Sequence, residues 1–396
     1  MFHRLIVLTI ALLGLASLAS AQSFTTSARA AYVYDMTTGT VLLEKNADQP
    51  LPPASMSKLM TLYMAFEAVA DGRLSPDERL PVSEHAMSYG GSTMFLDTTD
   101  RVRVEDLLLG VIVLSGNDAS AVLAEALSTD GTEAGFARMM TEKARELGMT
   151  NSTFANSNGW PASGHRMSVR DLGILAQHII SDFPTFYPLF AQQTFAFDGR
   201  APQNVRNRNP LLGLGIGADG LKTGHTEEAG YGLVGSAKQG DRRVVFVLSG
   251  LPSTQARAEE SEKIVNWAFR QFVQKAAAPA GTRVAEAEVW MGETATVPLM
   301  LEDDLTLLVP ATQRGRLESE VVFEGPIKAP ITEGDTIAEL VVKLDGLPEV
   351  RRPLVAAQSV GPGGFKSRMT TAAQVLIRRF QDAPQAPAVI GPGADS

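Results

Sequence analysis

Ser55-Met56-Ser57-Lys58, Ser115-Gly116-Asn117 and Lys222-Thr223-Gly224 are the three strings around which the rest of the chain arranges itself. A lone S-x-x-K carries little information, since composition alone gives about one in a chain of this length. The ordered set, with wide spacing between its members, is one constellation. It places a serine beside a lysine, a serine–asparagine pair in a turn, and a lysine next to a strand, which are the parts of a nucleophilic acyl-transfer site.

Each part has a chemical reason. Ser55 follows Leu51-Pro52-Pro53-Ala54, and a helical stretch begins at about Met56. The Ser55 hydroxyl therefore lies near the positive end of a helix, where free N–H groups can face an oxyanion. Lys58, three residues on, shares that helical face. A neutral lysine can take the serine proton, provided that burial and a nearby positive charge bring its pKa well below about 10.4. Lys222 is expected to supply that charge. Ser115 can relay a proton between Lys58, Lys222 and a leaving amine. The Asn117 amide, with both donors and an acceptor, can hold Lys58 and a substrate carbonyl together. Taken alone, Ser115–Asn117 also reads as a turn with a helix cap. Gly224 lacks a side chain and lets an extended peptide lie against the strand edge. Lys222 and the Thr223 hydroxyl suit a carboxylate, and the His225 backbone N–H completes an oxyanion hole with that of Ser55. The His225 side chain is not read as part of a Ser–His–Asp triad, because the chain has no G-x-S-x-G elbow.

Outward from these strings, Ala31–Tyr34 and Thr40–Leu43 read as a hairpin turned at Thr37-Thr38-Gly39. Helical patterns dominate from Met56 to about Asp182, among them Asp118–Leu127, Glu133–Leu147 and Val169–Ile180. Strands return at Gly230–Ala237 and Arg243–Ser249, and a helix follows from about Arg257 to Val273. Strands at both ends of a helical middle predict an α+β catalytic domain, one antiparallel sheet assembled from the two termini and covered by helices.

Ala276–Gly281 reads as a linker. Beyond it, Arg283–Trp290, Thr294–Leu301, Leu305–Val309, Leu317–Phe323, Thr336–Leu344 and Val350–Val355 predict a small all-β domain. Phe365, Met369, Ala372, Leu376 and Phe380 recur at helical spacing, flanked by Lys366, Arg368, Arg378 and Arg379. That amphipathic helix suits a membrane interface, or equally a face of the chain's own β domain. Pro384–Ser396 reads as a disordered tail.

Residues 1–21 have the form of a secretory signal: Arg4, an apolar run from Leu5 to Leu18, and Ala19-Ser20-Ala21 before Gln22. The organisation expected is thus a signal at 1–21, the catalytic domain at 22–276, the β domain at 277–356, and the amphipathic helix with its tail at 357–396. The absence of cysteine excludes disulfides, zinc–thiolate sites and cysteine nucleophiles. A net charge of −9 argues against nucleic-acid binding. No metal or cofactor is implied.

These residues resemble the low-molecular-mass penicillin-binding proteins that are D-alanyl-D-alanine carboxypeptidases, for which the ordered triple motif is a known signature shared with β-lactamases. The similarity extends through Ser115-Gly116-Asn117-Asp118-Ala119, Gly220–Thr226 and Ala229-Gly230-Tyr231. It implies a β-lactamase/transpeptidase-like fold and a peptidoglycan pentapeptide stem as substrate, with β-lactams as inhibitors that acylate Ser55. It also implies an exported, periplasmic enzyme held by its C-terminal helix on the outer face of the cytoplasmic membrane. Arg257 lies where the family has an arginine that helps to bind the terminal carboxylate, although a first-turn arginine can also be merely solvated. Two departures stand out: the chain runs on past the amphipathic stretch, and the border segment Pro81–Thr93 is short. Rival readings are a DD-endopeptidase, a β-lactamase, which lacks support because no E-x-x-L-N string occurs, and an inactive peptidoglycan-binding protein.

Overall fold

The computed structural model describes residues 24–200, 203–311, 317–344, 347, 349–365 and 369. The expected signal at 1–21, nearly all of the amphipathic stretch and the tail lie outside the described residues. Contacts divide the chain into two units, residues up to 273 with 309–314, and residues 274–308 with the remainder.

In the first unit, β1 (Ala30–Asp35) and β2 (Thr40–Lys45) form the expected hairpin. Its turn is fixed by Asp35, whose carboxylate accepts from the Thr38 N–H and hydroxyl, both at 2.8 Å. The helical middle contains α1 (Lys58–Ala70), β3 (Arg79–Pro81), α2 (Glu84–Met87), β4 (Arg101–Arg103), α3 (Val104–Leu109), α4 (Asn117–Leu127), α5 (Glu133–Glu146) and α6 (Val169–Asp182). The small β3–β4 ladder inside it was not expected from the helical patterning. The chain then returns through β5 (Ala218–Thr226), β6 (Gly230–Gln239) and β7 (Arg242–Leu251) to α7 (Thr254–Gln271).

The five long strands make one antiparallel sheet in the order β2-β1-β7-β6-β5, so the two ends of the unit meet where β1 pairs with β7. Alternation along the strands gives this sheet two buried faces. Tyr32, Val245 and Val247 enter the core shared with α1 and α6, whereas Val33, Val244, Phe246 and Leu248 enter the core covered by Ile264, Val265 and Ala268 of α7. Helix α1 has no exposed face over most of its length: Leu59, Met60, Leu62, Tyr63, Ala65 and Phe66 are all buried. A helix apolar all round belongs in a core, and each such leucine or phenylalanine contributes about 1.5–3 kcal/mol on burial. Its first residue, Lys58, is thereby anchored at the centre of the unit. Strand β5 is the outermost strand, which leaves one of its edges open.

In the second unit, β9 (Arg283–Trp290), β10 (Thr296–Leu301), β12 (Leu317–Val322), β13 (Ile327–Lys328), β14 (Thr336–Leu344) and β15 (Val350–Ala356) form a six-stranded sheet. The remaining strands, β8 (Phe272–Ala278) and β11 (Leu305–Pro310), pair with each other. Five of the six predicted β runs coincide closely with strands, and the run beginning at Thr294 enters its strand at Thr296. The expected linker is shorter than its composition suggests, because Ala276–Ala278 finish β8; alanine runs carry no marker that separates strand from connection.

Candidate active site

Ser55 lies in a 3-10 turn, Ala54–Ser57, that enters α1. The turn is shaped by Ala54 at φ +48° and wedged between two glycines. A side chain at Gly159 would strike the Ala54 carbonyl, and one at Gly224 would lie 2.9 Å from Met56 Cγ and 3.0 Å from the Pro53 carbonyl. Gly224 thus has a reason beyond the one expected: it lets β5 press against the turn that carries the serine.

Lys58 is fully buried and its ammonium donates to Ser55 Oγ at 2.8 Å, to Asn117 Oδ1 at 2.7 Å and to the Asn158 carbonyl at 2.5 Å. All three acceptors are uncharged. Burial therefore acts with little direct compensation and brings the Lys58 pKa down to about 7, with help from the Arg208 charge and against the pull of Asp118 and Glu133. Arg208 is a cation acting on Lys58 that the sequence did not suggest, beside the expected Lys222, whose charge and that of Lys58 oppose each other. Lys222 is itself pushed well below its ordinary value by burial, then by the charges of Lys58, Arg208 and Arg257. A guanidinium keeps its proton where a buried ammonium does not.

Across from this pair, Ser115 ends a π-helical turn, Gly110–Leu114, in the left-handed conformation at φ +62°. Lys222 Nζ donates to Ser115 Oγ at 2.8 Å. Asn117 opens α4 and is more than a cap. Its Oδ1 accepts from Lys58, while Nδ2 donates to the Gly90 carbonyl at 2.8 Å and the backbone N–H to the Ser92 carbonyl at 2.7 Å. One amide hydrogen remains for a substrate carbonyl. Asp118, next in sequence, is buried and accepts from the N–H groups of Met94, Leu96 and Ala119, which fixes residues 94–96 against α4.

Lys222, Thr223 and Gly224 lie within β5 rather than ahead of it. Thr223 is buried; His225 is exposed and stacks on Tyr231, with ring centroids 3.9 Å apart. Arg257, in the first turn of α7, is not a solvated residue. It is only 7% exposed, its guanidinium lies 5.8 Å from the Tyr231 ring centroid, and its buried Nε has no protein partner. The structure therefore brings Ser55, Lys58 and Asn117 into one hydrogen-bonded group and Ser115 and Lys222 into a second. Thr223, Gly224 and His225 follow along the adjoining strand, and Arg257 bears on Lys222 through its charge.

Several functional neighbours had no signature in the sequence. Asn158 supplies the carbonyl that holds Lys58, yet Asn156–Gly159 reads only as a polar loop. Its side chain reaches Glu133, a buried carboxylate that also accepts from Ser157, from His85 at 2.7 Å and from Tyr89 at 2.6 Å. Burial alone would raise the Glu133 pKa; the bonds from Ser157, Tyr89 and His85 outweigh it and hold the carboxyl below its usual range. Arg208 donates to the Leu114 carbonyl and the Ser92 hydroxyl, so it ties the turn that ends at Ser115 to the loop that carries Ser92. Among the described residues no cluster of potential metal ligands occurs.

Residues 17–252 match the D-alanyl-D-alanine carboxypeptidase family Peptidase_S11, and residues 272–362 match the C-terminal domain of penicillin-binding protein 5. The chain is 34% identical to the D-alanyl-D-alanine carboxypeptidase DacC of Escherichia coli over 86% of each sequence. Penicillin-binding protein 5 from Haemophilus influenzae superposes with a TM-score of 0.75 at 32% identity, covering 85% of this chain and 98% of that one. Penicillin-binding protein D2 from Listeria monocytogenes, in its ampicillin-bound form, superposes at 0.56 with 34% identity over 62% of this chain and 99% of its own. With its three-part serine–lysine site set on the edge of a helix-covered antiparallel sheet, the chain belongs to the D-alanyl-D-alanine carboxypeptidase family of penicillin-binding proteins.

Proposed function

We propose that the protein is a serine-type carboxypeptidase that removes the terminal D-alanine from peptidoglycan stem pentapeptides. The observation that carries this reading is the fully buried Lys58 ammonium, 2.8 Å from Ser55 Oγ and surrounded by neutral acceptors. It is a lysine whose proton is easily lost near neutrality, poised on a nucleophile. Ser55 Oγ attacks the carbonyl between the two D-alanines while its proton passes to Lys58 Nζ. The oxyanion faces the N–H groups of Ser55 and His225. As the carbon–nitrogen bond breaks, a proton reaches the departing amine through Ser115, which Lys222 holds in place. Water then attacks the acyl-enzyme, and its proton returns the serine hydroxyl. The substrate carboxylate is received by Thr223, Lys222 and Arg257, whose unpartnered Nε suits an incoming anion. A β-lactam enters as a mimic of the D-Ala-D-Ala terminus and acylates Ser55.

The test is D-alanine release from a pentapeptide ending in D-Ala-D-Ala by the protein and by Ser55→Ala. Release by the wild type alone is expected; equal release by the variant would remove Ser55 from the chemistry. We also infer that residues 1–21 direct export and that Phe365–Phe380 lies on the outer face of the cytoplasmic membrane, the chain working in the periplasm. The apolar spacing with flanking arginines supports this reading. Among the described residues no helix is long and apolar enough to cross a membrane. Membrane fractionation of the full chain against one truncated after residue 362 tests the attachment.

A further inference from the structure

The end of the sheet where β6 finishes and β5 begins carries a cluster that the reaction leaves unused. Lys238 of β6, Asn266, Phe269 and Arg270 of α7, and the turn Gly215–Gly217 line a crevice of about 410 Å³. No carboxylate lines it, in a chain with 44 acidic residues against 35 basic ones. Lys238 and Arg270 are exposed, and neither forms an ion pair among the described residues. A cation in the last turn of α7 is favoured by the helix dipole, which accounts for Arg270 but not for Lys238. The turn adds donors. Gly215 and Gly217 have φ +69° and +84° on either side of Ile216, the alternation in handedness that gathers successive N–H groups into an anion cradle. The carbonyls of this turn are in use: that of Gly217 accepts from the Lys238 N–H at 2.8 Å and that of Ile216 from Gln239 Nε2 at 2.9 Å. Its N–H groups, at Gly215, Ile216 and Gly217, have no protein acceptor among the described residues. Beneath the charges Ile216 and Phe269 pack onto the core under α7, and Leu214, just ahead of the turn, is 49% exposed.

Two unpaired cations beside a run of free N–H groups call for an anion with several acceptor oxygens. The apolar floor calls for one carried on a carbon stem. We propose that this crevice is a binding site for a phosphate ester. The phosphate oxygens accept from Lys238, Arg270 and the N–H groups of residues 215–217, and the stem lies along Ile216 and Phe269. A free phosphate ester and the headgroup of an anionic phospholipid present the same chemistry. With the lipid, Leu214 reaches past the headgroup into the acyl boundary. None of the residues that act on the D-alanine bond lines the crevice, so the inference stands apart from that reading.

The experiment titrates the full chain into glycerol phosphate and into monomeric dihexanoylphosphatidylglycerol, and reads binding as broadening of the phosphorus NMR line. The wild type should broaden both. Lys238→Gln combined with Arg270→Gln should weaken both affinities by about tenfold or more, and each single substitution by about threefold. Arg145→Gln, which removes an exposed cation of α5, should change neither. The double variant should keep the wild-type melting temperature and rate of D-alanine release, which separates a lost site from a lost fold. Lipid bound about tenfold more tightly than glycerol phosphate, with Leu214→Ser removing the gain, supports the site and identifies a membrane headgroup as its ligand. Equal affinities support the site and identify a free phosphate ester. Absence of broadening in the wild type overturns the proposal, as does binding that the double variant retains, since the phosphate would then be held by charges elsewhere on the chain.

Discussion

Lys58 and Arg242 are both buried cations of the catalytic unit, and they live under opposite conditions. Arg242, at the start of β7, donates from Nε to the Asp35 carboxylate at 2.5 Å and from a terminal nitrogen to the Phe272 carbonyl, with its guanidinium over the Phe269 ring. It ties the first hairpin to the last strand with a full counter-charge. Lys58 has no carboxylate in contact, only a hydroxyl, an amide oxygen and a backbone carbonyl. Where a buried cation has its anion, the charge is permanent and serves the fold. Where it has neutral acceptors, the proton becomes mobile and serves chemistry.

Removing each cation's function should therefore give opposite outcomes. Lys58→Met takes away the base while filling its space with an apolar chain. D-alanine release and acylation by penicillin should both fall by about 10³-fold or more. The melting temperature at neutral pH should hold or rise, because a costly buried ammonium is gone. A lower melting temperature would mean that Lys58 also works as a structural cation. Asp35→Ala should do the reverse. An unpaired buried guanidinium costs about 3–5 kcal/mol, visible as an earlier denaturant midpoint. Release per folded molecule should stay close to wild type, since Asp35 bonds to Thr38 and Arg242 and to none of the partners of Ser55.

Next in size is the dependence on pH. With Lys58 near 7, Ser55 acylation should climb roughly tenfold per unit below that pH and level off above it. Stability carries the same signature with its sign fixed by the depressed value. Between about 7 and 10.5 the unfolded chain holds a proton on this lysine that the folded chain has released, so stability rises with pH through that window and is lost as pH falls through 7. Denaturant midpoints from pH 7 to pH 9, compared with those of Lys58→Met, isolate this part. An equal slope in both proteins would place the effect elsewhere.

The sequence carried the nucleophile, the base, the serine–asparagine turn and the lysine strand, because each needs a particular side chain at a particular spacing. It carried the sheet as well, since two-faced burial writes apolar runs such as Val244–Leu248. It did not carry Asn158, because the group in use there is a backbone carbonyl, which any residue possesses. Nor did it carry Arg208 or Glu133, whose service is a charge delivered across space from distant points of the chain. The linker failed for a related reason: alanines at 276–278 form strand only because β11 lies beside them.

Those two unannounced charges give the finest test of the contrast between mobile and fixed protons. Arg208 lowers the Lys58 pKa and Glu133 raises it, so neutralising them must move the acylation profile in opposite directions. Arg208→Gln removes a cation and should shift the midpoint up; Glu133→Gln removes an anion and should shift it down, each within about one pH unit. Both substitutions disturb hydrogen bonds, at Leu114 and Ser92 in one case and at Ser157, Tyr89 and His85 in the other. Local loosening alone would lower the plateau rate without choosing a direction for the midpoint. Opposite shifts in the pH–acylation profiles would show that the Lys58 proton is set by charges it does not touch. Shifts of the same sign would mean that the neutral acceptors around Lys58, and not the surrounding charges, govern it.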